Sequence, residues 1–374
     1  MMKSTMGIIL TGGKCNTLKE LSLERSIAAV PFGGKYRAID FVLSNMVNSG
    51  IVNVGVITQY NIRSLMDHLG SGKEWDLDRK NKGLFIFPPY LSESGTGWYK
   101  GTADSLYRNM SFLERSDEEF VLIGQGYAIY NMDFTPMLKH HIDTNADITV
   151  ACRDMSDFSL DERKLLGIVN IDENKRIIEF AEKPLNPKHN IGSMGIYIVR
   201  RKFLIELLED SISKGLTELV HDIMVRQIKD LKIYAYKFHG YWRPLSTIQL
   251  YYRTNMELLN PKVRYELLMD RRKILTKVKD EPPAKYNAEA RVRNSIVADG
   301  CIIEGEVENS ILFRGVRVMK GAKIKDSLVM QGSVVEHGAD LQYCILDKAV
   351  TISQDKSLKG DYQWPLIVGK KVHV

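Results

Sequence analysis

The residues of this chain that could close on a phosphate begin at Gly12-Gly13, directly behind the apolar run GIIL (7–10). A glycine pair after a strand lets backbone N–H groups approach phosphate oxygens with no Cβ in the way. Alone it is a weak signal, because turns use glycine for the same freedom. Other chemistries find less support. Cys15, Cys152, Cys301 and Cys344 have no CxxC spacing, which argues against zinc and disulfides and fits a cytoplasmic setting. His140-His141 has no further ligand at metal spacing and is expected on an exposed helix surface. No serine or cysteine triad assembles from local motifs. The net charge of +6 suits phosphorylated small molecules and, without a recognition motif, does not argue for nucleic acid.

Such a loop needs a sheet behind it. The chain has 374 residues, 44% hydrophobic and 26% charged, which is ample for a large core and too long for one ordinary domain. GIIL (7–10), VGVIT (54–58), FVLIG (120–124) and ITVAC (148–152) read as buried strands of a mostly parallel sheet. Helical patterns over 40–48, 62–69 and 104–113 alternate with them. Strand–helix alternation predicts an α/β domain over 1–260, with its sites at the carboxyl ends of the strands. No apolar run approaches the roughly 18 residues of a membrane span. MMKSTMGIIL runs straight into a strand pattern and is not expected to be a signal peptide.

The helical pattern 248–259 ends at Asn260-Pro261, and Pro282-Pro283 follows the basic run MDRRKILTKVKD (269–280). Paired prolines cannot continue a helix, so 261–290 reads as a linker, its basic run either a solvated face or a partner contact. After it, Asn294-Ser295-Ile296-Val297, Asn309-Ser310-Ile311-Leu312, Asp326-Ser327-Leu328-Val329 and Tyr343-Cys344-Ile345-Leu346 recur at intervals of 15, 17 and 17. Gly300, Gly315 and Gly332 sit at matching offsets. An apolar residue about every six positions predicts a β-helix over 291–374, with apolar positions stacked inward.

Longer segments carry a family resemblance that covers nearly the whole chain. VPFGGKYRAIDFVLSNMVNSGI (30–51), ITQYN (57–61), WYKGTADSLYRN (98–109), FAEKP (180–184), SMGIY (193–197) and HGYW (239–242) resemble the ADP-glucose pyrophosphorylase (glucose-1-phosphate adenylyltransferase) family. The resemblance implies a Rossmann-like nucleotidyltransferase domain followed by a left-handed parallel β-helix. It implies a nucleotide site at Gly12, Gly13, Gln59, Tyr99, Gly101 and Thr102. Glu182, Lys183 and Ser193 correspond to the sugar-phosphate pocket, where Lys183 would pair with the glucose phosphate and Glu182 accept sugar hydroxyls. Arg25 and Arg37 match arginines near an effector-phosphate region, with surface ion pairs as the plainer alternative; Lys35 is similarly open.

The departures from the family fall together. GQGYAIYNMDF (124–134) and GYWRPLSTI (240–248) match two metal-site segments, with Tyr127 and Pro244 in place of the two acids. In LTGGKCNTLKEL (10–21) Cys15 replaces a glycine and Thr17 the arginine that faces departing pyrophosphate, while Ile27 replaces a lysine. A neutral phenol is a poor Mg²⁺ ligand and proline offers none. Asp133 matches a different family aspartate. Losing metal neutralisation removes several kcal/mol of transition-state stabilisation, on the order of a thousandfold in rate.

The resemblance is therefore to the non-catalytic regulatory (GlgD-type) branch of the bacterial family. It implies a cytoplasmic role in glycogen synthesis and a hetero-oligomer, a tetramer, with a catalytic adenylyltransferase subunit. That partner needs Mg²⁺; no cofactor or metal is expected on this chain. A nucleotide, sugar phosphate or anionic effector is an expected ligand, and neither nucleic acid nor membrane is. Two other readings stand beside it: an active adenylyltransferase with a substitute Mg²⁺ ligand, and a ligand-free scaffold.

Overall fold

Apolar runs flanked by glycine and polar residues fold as central strands, covered on both faces. The computed structural model describes residues 2–13, 17–90 and 97–374. Cys15 lies outside them. In chain order the strands that position the site are β1 (Thr5–Leu10), β2 (Asn53–Ile57), β3 (Gly83–Phe87), β4 (Phe120–Gln125), β5 (Ala128–Tyr130) and β6 (Ile148–Asp154). They continue with β7 (Gly167–Ile171), β8 (Ile177–Glu182), β9 (Ile191–Arg200), β10 (Ile233–Lys237) and β11 (Trp242–Pro244).

Among the described residues one mixed sheet of nine strands runs β8-β7-β9-β4-β1-β2-β3, with β6 paired to β9 and β10 to β6. The pairs β1–β2, β2–β3, β1–β4 and β6–β10 are parallel, as a Rossmann-like layer requires. The long strand β9 joins β4, β6 and β7 antiparallel, a half of the sheet the sequence pattern did not reveal. Ile9, Val54, Val56 and Leu122 pack into one buried cluster and Met6, Ile8, Val121 and Ile123 into another, so consecutive side chains fill both faces. The pattern expected over 104–113 forms two helices, Thr102–Arg108 and Met110–Glu114. Asn109 interrupts them, its amide donating to the Tyr99 hydroxyl at 3.1 Å and the Ser105 carbonyl at 2.8 Å. His141 departs from expectation: the helix Thr135–Asp143 buries it fully against β6, with Nδ1 2.8 Å from Thr149 Oγ1.

The C-terminal repeats form a left-handed parallel β-helix of three five-stranded sheets. The recurring Asn294, Asn309, Asp326 and Tyr343 all have φ between 43° and 51° and turn one corner of successive coils. Each following residue stacks on the last: Ser310 N–H donates to Ser295 Oγ, Ser327 N–H to Ser310 Oγ, and Cys344 N–H to Ser327 Oγ, at 3.0–3.1 Å. Inward Leu312, Val329 and Leu346 build the dry core. The first of these strands, Lys285–Tyr286, already lies within the segment read as a linker.

The two domains share a buried cluster. Tyr251, Tyr252 and Leu258 of the first meet Ile311, Phe313, Leu328 and Met330 of the second. Arg25 and Asp347 cross this boundary at 2.9 Å, both almost fully buried. The basic run is strapped to the helix Ala38–Asn48: Leu275 N–H donates to Ser44 Oγ at 2.8 Å and Asn48 to the Lys273 carbonyl at 3.0 Å. Among the described residues no helix is long and apolar enough to cross a membrane.

Candidate functional site

The ribbon β5–β11 brings the two departed positions together. Ala128 pairs with Pro244 and Tyr130 with Trp242, and Leu245 N–H donates to the Tyr127 carbonyl at 2.9 Å. Tyr127 and Pro244 line a cavity of about 360 Å³ together with Thr17, Glu182, Lys183 and Ser193. Gly12, at φ 82°, lies under the Tyr127 ring: an added Cβ would stand 3.3 Å from that ring and 3.3 Å from Ile27 Cγ2. The Thr17 hydroxyl donates to the Ser246 carbonyl, tying the glycine loop to the segment after β11.

Across the cavity, Glu182 ends β8 and Ser193 opens the central stretch of β9. Lys183, at φ 48°, holds its Nζ 3.8 Å from the Glu182 carboxylate and is 66% exposed. Burial pushes the Glu182 carboxyl above its usual range; Lys183 opposes this and Glu218 adds to it. Ser193 Oγ accepts from Gly195 N–H at 3.2 Å.

A second cavity of about 220 Å³ shares the Gly12-Gly13 wall and gathers Gln59, Tyr99, Gly101 and Thr102. Thr102 donates through its hydroxyl to Glu218 at 2.8 Å, and Gln59 donates to the Tyr99 carbonyl at 3.3 Å. Gly101 is needed for close approach, since a Cβ there would stand 2.4 Å from the Thr217 carbonyl oxygen. Glu218 had no sequence signal; it arrives from a segment more than a hundred residues away.

The effector candidates separate. Lys35 and Arg37 line a narrow cleft of about 40 Å³ between the domains, with Lys277, Lys279, Arg314 and Lys348. Arg37 also donates to the Ser64 carbonyl and hydroxyl at 2.6 and 2.8 Å. Arg25 does not line the cleft; it is committed to Asp347, with one guanidinium nitrogen left unpartnered. Lys348 is pushed down to about 7, chiefly by burial and then by Arg37 and Arg25. Lys277 and Lys279 come from the basic run read as a solvated face or a partner contact, whereas Arg314 and Lys348 were not singled out in the sequence, where each is one lysine or arginine among 52.

The residues at the β5–β11 ribbon do not fit a magnesium ion. Tyr127 offers a phenol and Pro244 nothing. Asp133 is turned to the helix Thr135–Asp143, where its carboxylate accepts from Thr135 N–H at 2.8 Å. Among the described residues no group of three His, Cys, Asp or Glu side chains stands where a metal could be held.

A mixed α/β sheet with a glycine loop at the carboxyl end of β1, followed by a hexapeptide β-helix, defines the class of sugar-phosphate nucleotidyltransferases. The nucleotidyl transferase family matches residues 6–261 and the GlmU-like C-terminal hexapeptide family residues 282–363. The chain is 38% identical over 368 residues to glucose-1-phosphate adenylyltransferase of Bacillus cytotoxicus, covering 96% of both chains. It is 42% identical over 339 residues to the enzyme so named in Clostridium perfringens, covering 89% of this chain and 86% of that one. With that of Thermotoga neapolitana it shares 40% over 328 residues, 87% and 77% of the two chains. The chain belongs to the glucose-1-phosphate adenylyltransferase family.

Proposed function

We propose that this chain is a catalytically deficient regulatory subunit of glucose-1-phosphate adenylyltransferase, acting in glycogen synthesis beside a catalytic sister subunit in a heterotetramer. One observation carries the reading: Tyr127 and Pro244 stand together on the β5–β11 ribbon, in the wall of the same cavity as Glu182, Lys183 and Ser193. The relatives' reaction joins two anionic reactants and releases a third anion, so charge neutralisation supplies much of its acceleration. This chain keeps the walls of the pockets and lacks the acids that would recruit the neutralising ion. Thr17 in place of the loop arginine removes a further positive charge from the leaving-group side.

The cleft between the domains supports the regulatory half of the proposal. Lys35, Arg37, Lys277, Lys279, Arg314 and Lys348 converge there, a cluster suited to an anionic effector. Regulation then follows if that anion, or the partner, prefers one conformational state.

The test is size and turnover on the same samples. Mixed with a catalytic subunit of the same cell, the chain is expected to run as a particle larger than either alone. Alone with Mg²⁺, ATP and glucose-1-phosphate it is expected to turn over on the order of a thousandfold more slowly than its relatives. Turnover near theirs would favour the reading with a substitute Mg²⁺ ligand. Assembly with no binding of ATP or glucose-1-phosphate to this chain would favour a ligand-free scaffold subunit.

A further inference from the structure

We propose that the open end of the β-helix at Arg291–Arg293 docks an acidic–apolar–acidic strand of a different subunit and rejects a second copy of this chain. The proposal rests on the reading that the chain assembles with a catalytic sister, and it names the surface and the charge pattern that select that sister. The strand Arg291–Arg293 is the last of its sheet, and among the described residues no strand lies beyond it. Its inward position shows the gap. Val292 stacks over Val307, Ile324 and Leu341, which are at most 1% exposed, yet Val292 itself is 37% exposed. The backbone is open as well. Arg291 N–H donates to the Gly305 carbonyl and the Arg293 carbonyl accepts from Asn309 N–H, so both residues bond into the coil. By the alternation of a parallel ladder, the N–H and C=O of Val292 point outward. Such an edge is a template for another strand.

The charges say which strand. Down this face the outward residues alternate in sign. Arg291 stands over Glu306, Lys323 and Asp340, and Arg293 over Glu308 and Lys325. Arg291 lies 3.8 Å from Glu306, Arg293 pairs with Glu308, and Lys325 lies 4.0 Å from Glu308. The outermost rung is two arginines, 82% and 77% exposed, each answered on its inner side only. The next rung outward therefore calls for a carboxylate at both positions. The chain's own strand Glu306-Val307-Glu308 displays the pattern that fits.

A second copy of this chain offers the wrong charges. Two copies meeting end to end about a two-fold axis pair this strand with itself antiparallel, which sets Arg291 against Arg293 twice. Head-to-tail stacking puts the same strand on Ser357-Leu358-Lys359, the far end of the sheet, and sets Arg293 against Lys359. Like charges directly opposite weaken a strand pair. Each exposed contact is a small effect, but a choice between partners needs only the difference.

The experiment is sedimentation of the full chain, unaltered and as Arg291→Glu, with urea unfolding to show that the variant folds. In the two-fold arrangement the new carboxylate faces Arg293 of the other copy, so two contacts pass from repulsive to attractive. The variant is expected to self-associate at least about tenfold more tightly than the unaltered chain, and to lose most of that gain in about 0.5 M salt. Equal self-association by the two folded proteins would overturn the inference. The substitution also sets like charges together at Glu306, so Arg291→Gln with Arg293→Gln supplies a second measurement free of that contact. This variant should assemble at least about threefold more weakly with the catalytic subunit; unchanged assembly would overturn the inference. If the unaltered chain assembles with no catalytic subunit while Arg291→Glu self-associates as expected, the regulatory reading falls and the charge-selective end stands.

Discussion

At the scale of single residues, the account turns on three side chains in one cavity wall. Tyr127 and Pro244 line one cavity from the β5–β11 ribbon and its start, and the Thr17 hydroxyl donates to the Ser246 carbonyl. Combining Thr17→Arg, Tyr127→Asp and Pro244→Asp is expected to raise ADP-glucose synthesis at least about tenfold with Mg²⁺, part of the several kcal/mol a metal supplies. A steady-state assay of the purified triple variant decides this, and an unchanged rate would mean the pocket has drifted beyond these positions. His141 gives a separate prediction. Burial, then Arg200 and His140, push its imidazole down from 6.5 to about 4. Its stabilising contribution is thus whole above about pH 6.5 and is lost as pH falls through about 4. His141→Asn should flatten the loss of stability across that window in urea titrations; an unchanged slope would assign it to other groups. The sequence showed the departures at 17, 127 and 244 because the segments around them are intact. It misplaced His141 because adjacent histidines look polar, while burial here depends on Phe120 of β4 and Thr149 of β6 packing against the ring of this helix residue.

At the scale of elements, short-range pattern and long-range contact divide what could be read. The parallel strands and the β-helix coils were legible, since each repeats a local arrangement of apolar residues and corners. The corners at Asn294, Asn309, Asp326 and Tyr343 gave the interval away, and three of the four are residues that tolerate left-handed backbone. The antiparallel entry of β9 between β4 and β7 was not legible, because period and propensity do not encode which neighbour a strand selects. The same holds for Glu218, which reaches Thr102 only through the fold. Gly101 tests the element that carries the smaller cavity. Gly101→Ala must move the Thr217 carbonyl, which also accepts from Ala103 N–H at 2.8 Å. We expect a cost of about 1–3 kcal/mol in denaturant unfolding, with weaker adenosine binding. Stability and binding both unchanged would show that the two segments separate freely.

At the scale of the whole molecule, the α/β domain and the β-helix act on one another through a buried boundary. Tyr252 donates to the Asp326 carbonyl at 2.6 Å, and Arg25 pairs with Asp347 a short way off. Asp347→Ala leaves the Arg25 charge buried without its partner, and about 3–5 kcal/mol of stability should go with it. The double change Arg25→Met with Asp347→Leu should recover much of that loss, which chemical denaturation of the two variants would show. The cationic cleft lies at the same boundary, so an anion bound there touches both domains at once and is placed to bias how they sit. The measurement that bears most directly on the account is ADP-glucose synthesis by three samples: this chain alone, the catalytic subunit alone, and their mixture. The account predicts that the chain alone is silent and that the mixture outruns the catalytic subunit. Ordinary turnover by this chain alone would contradict it.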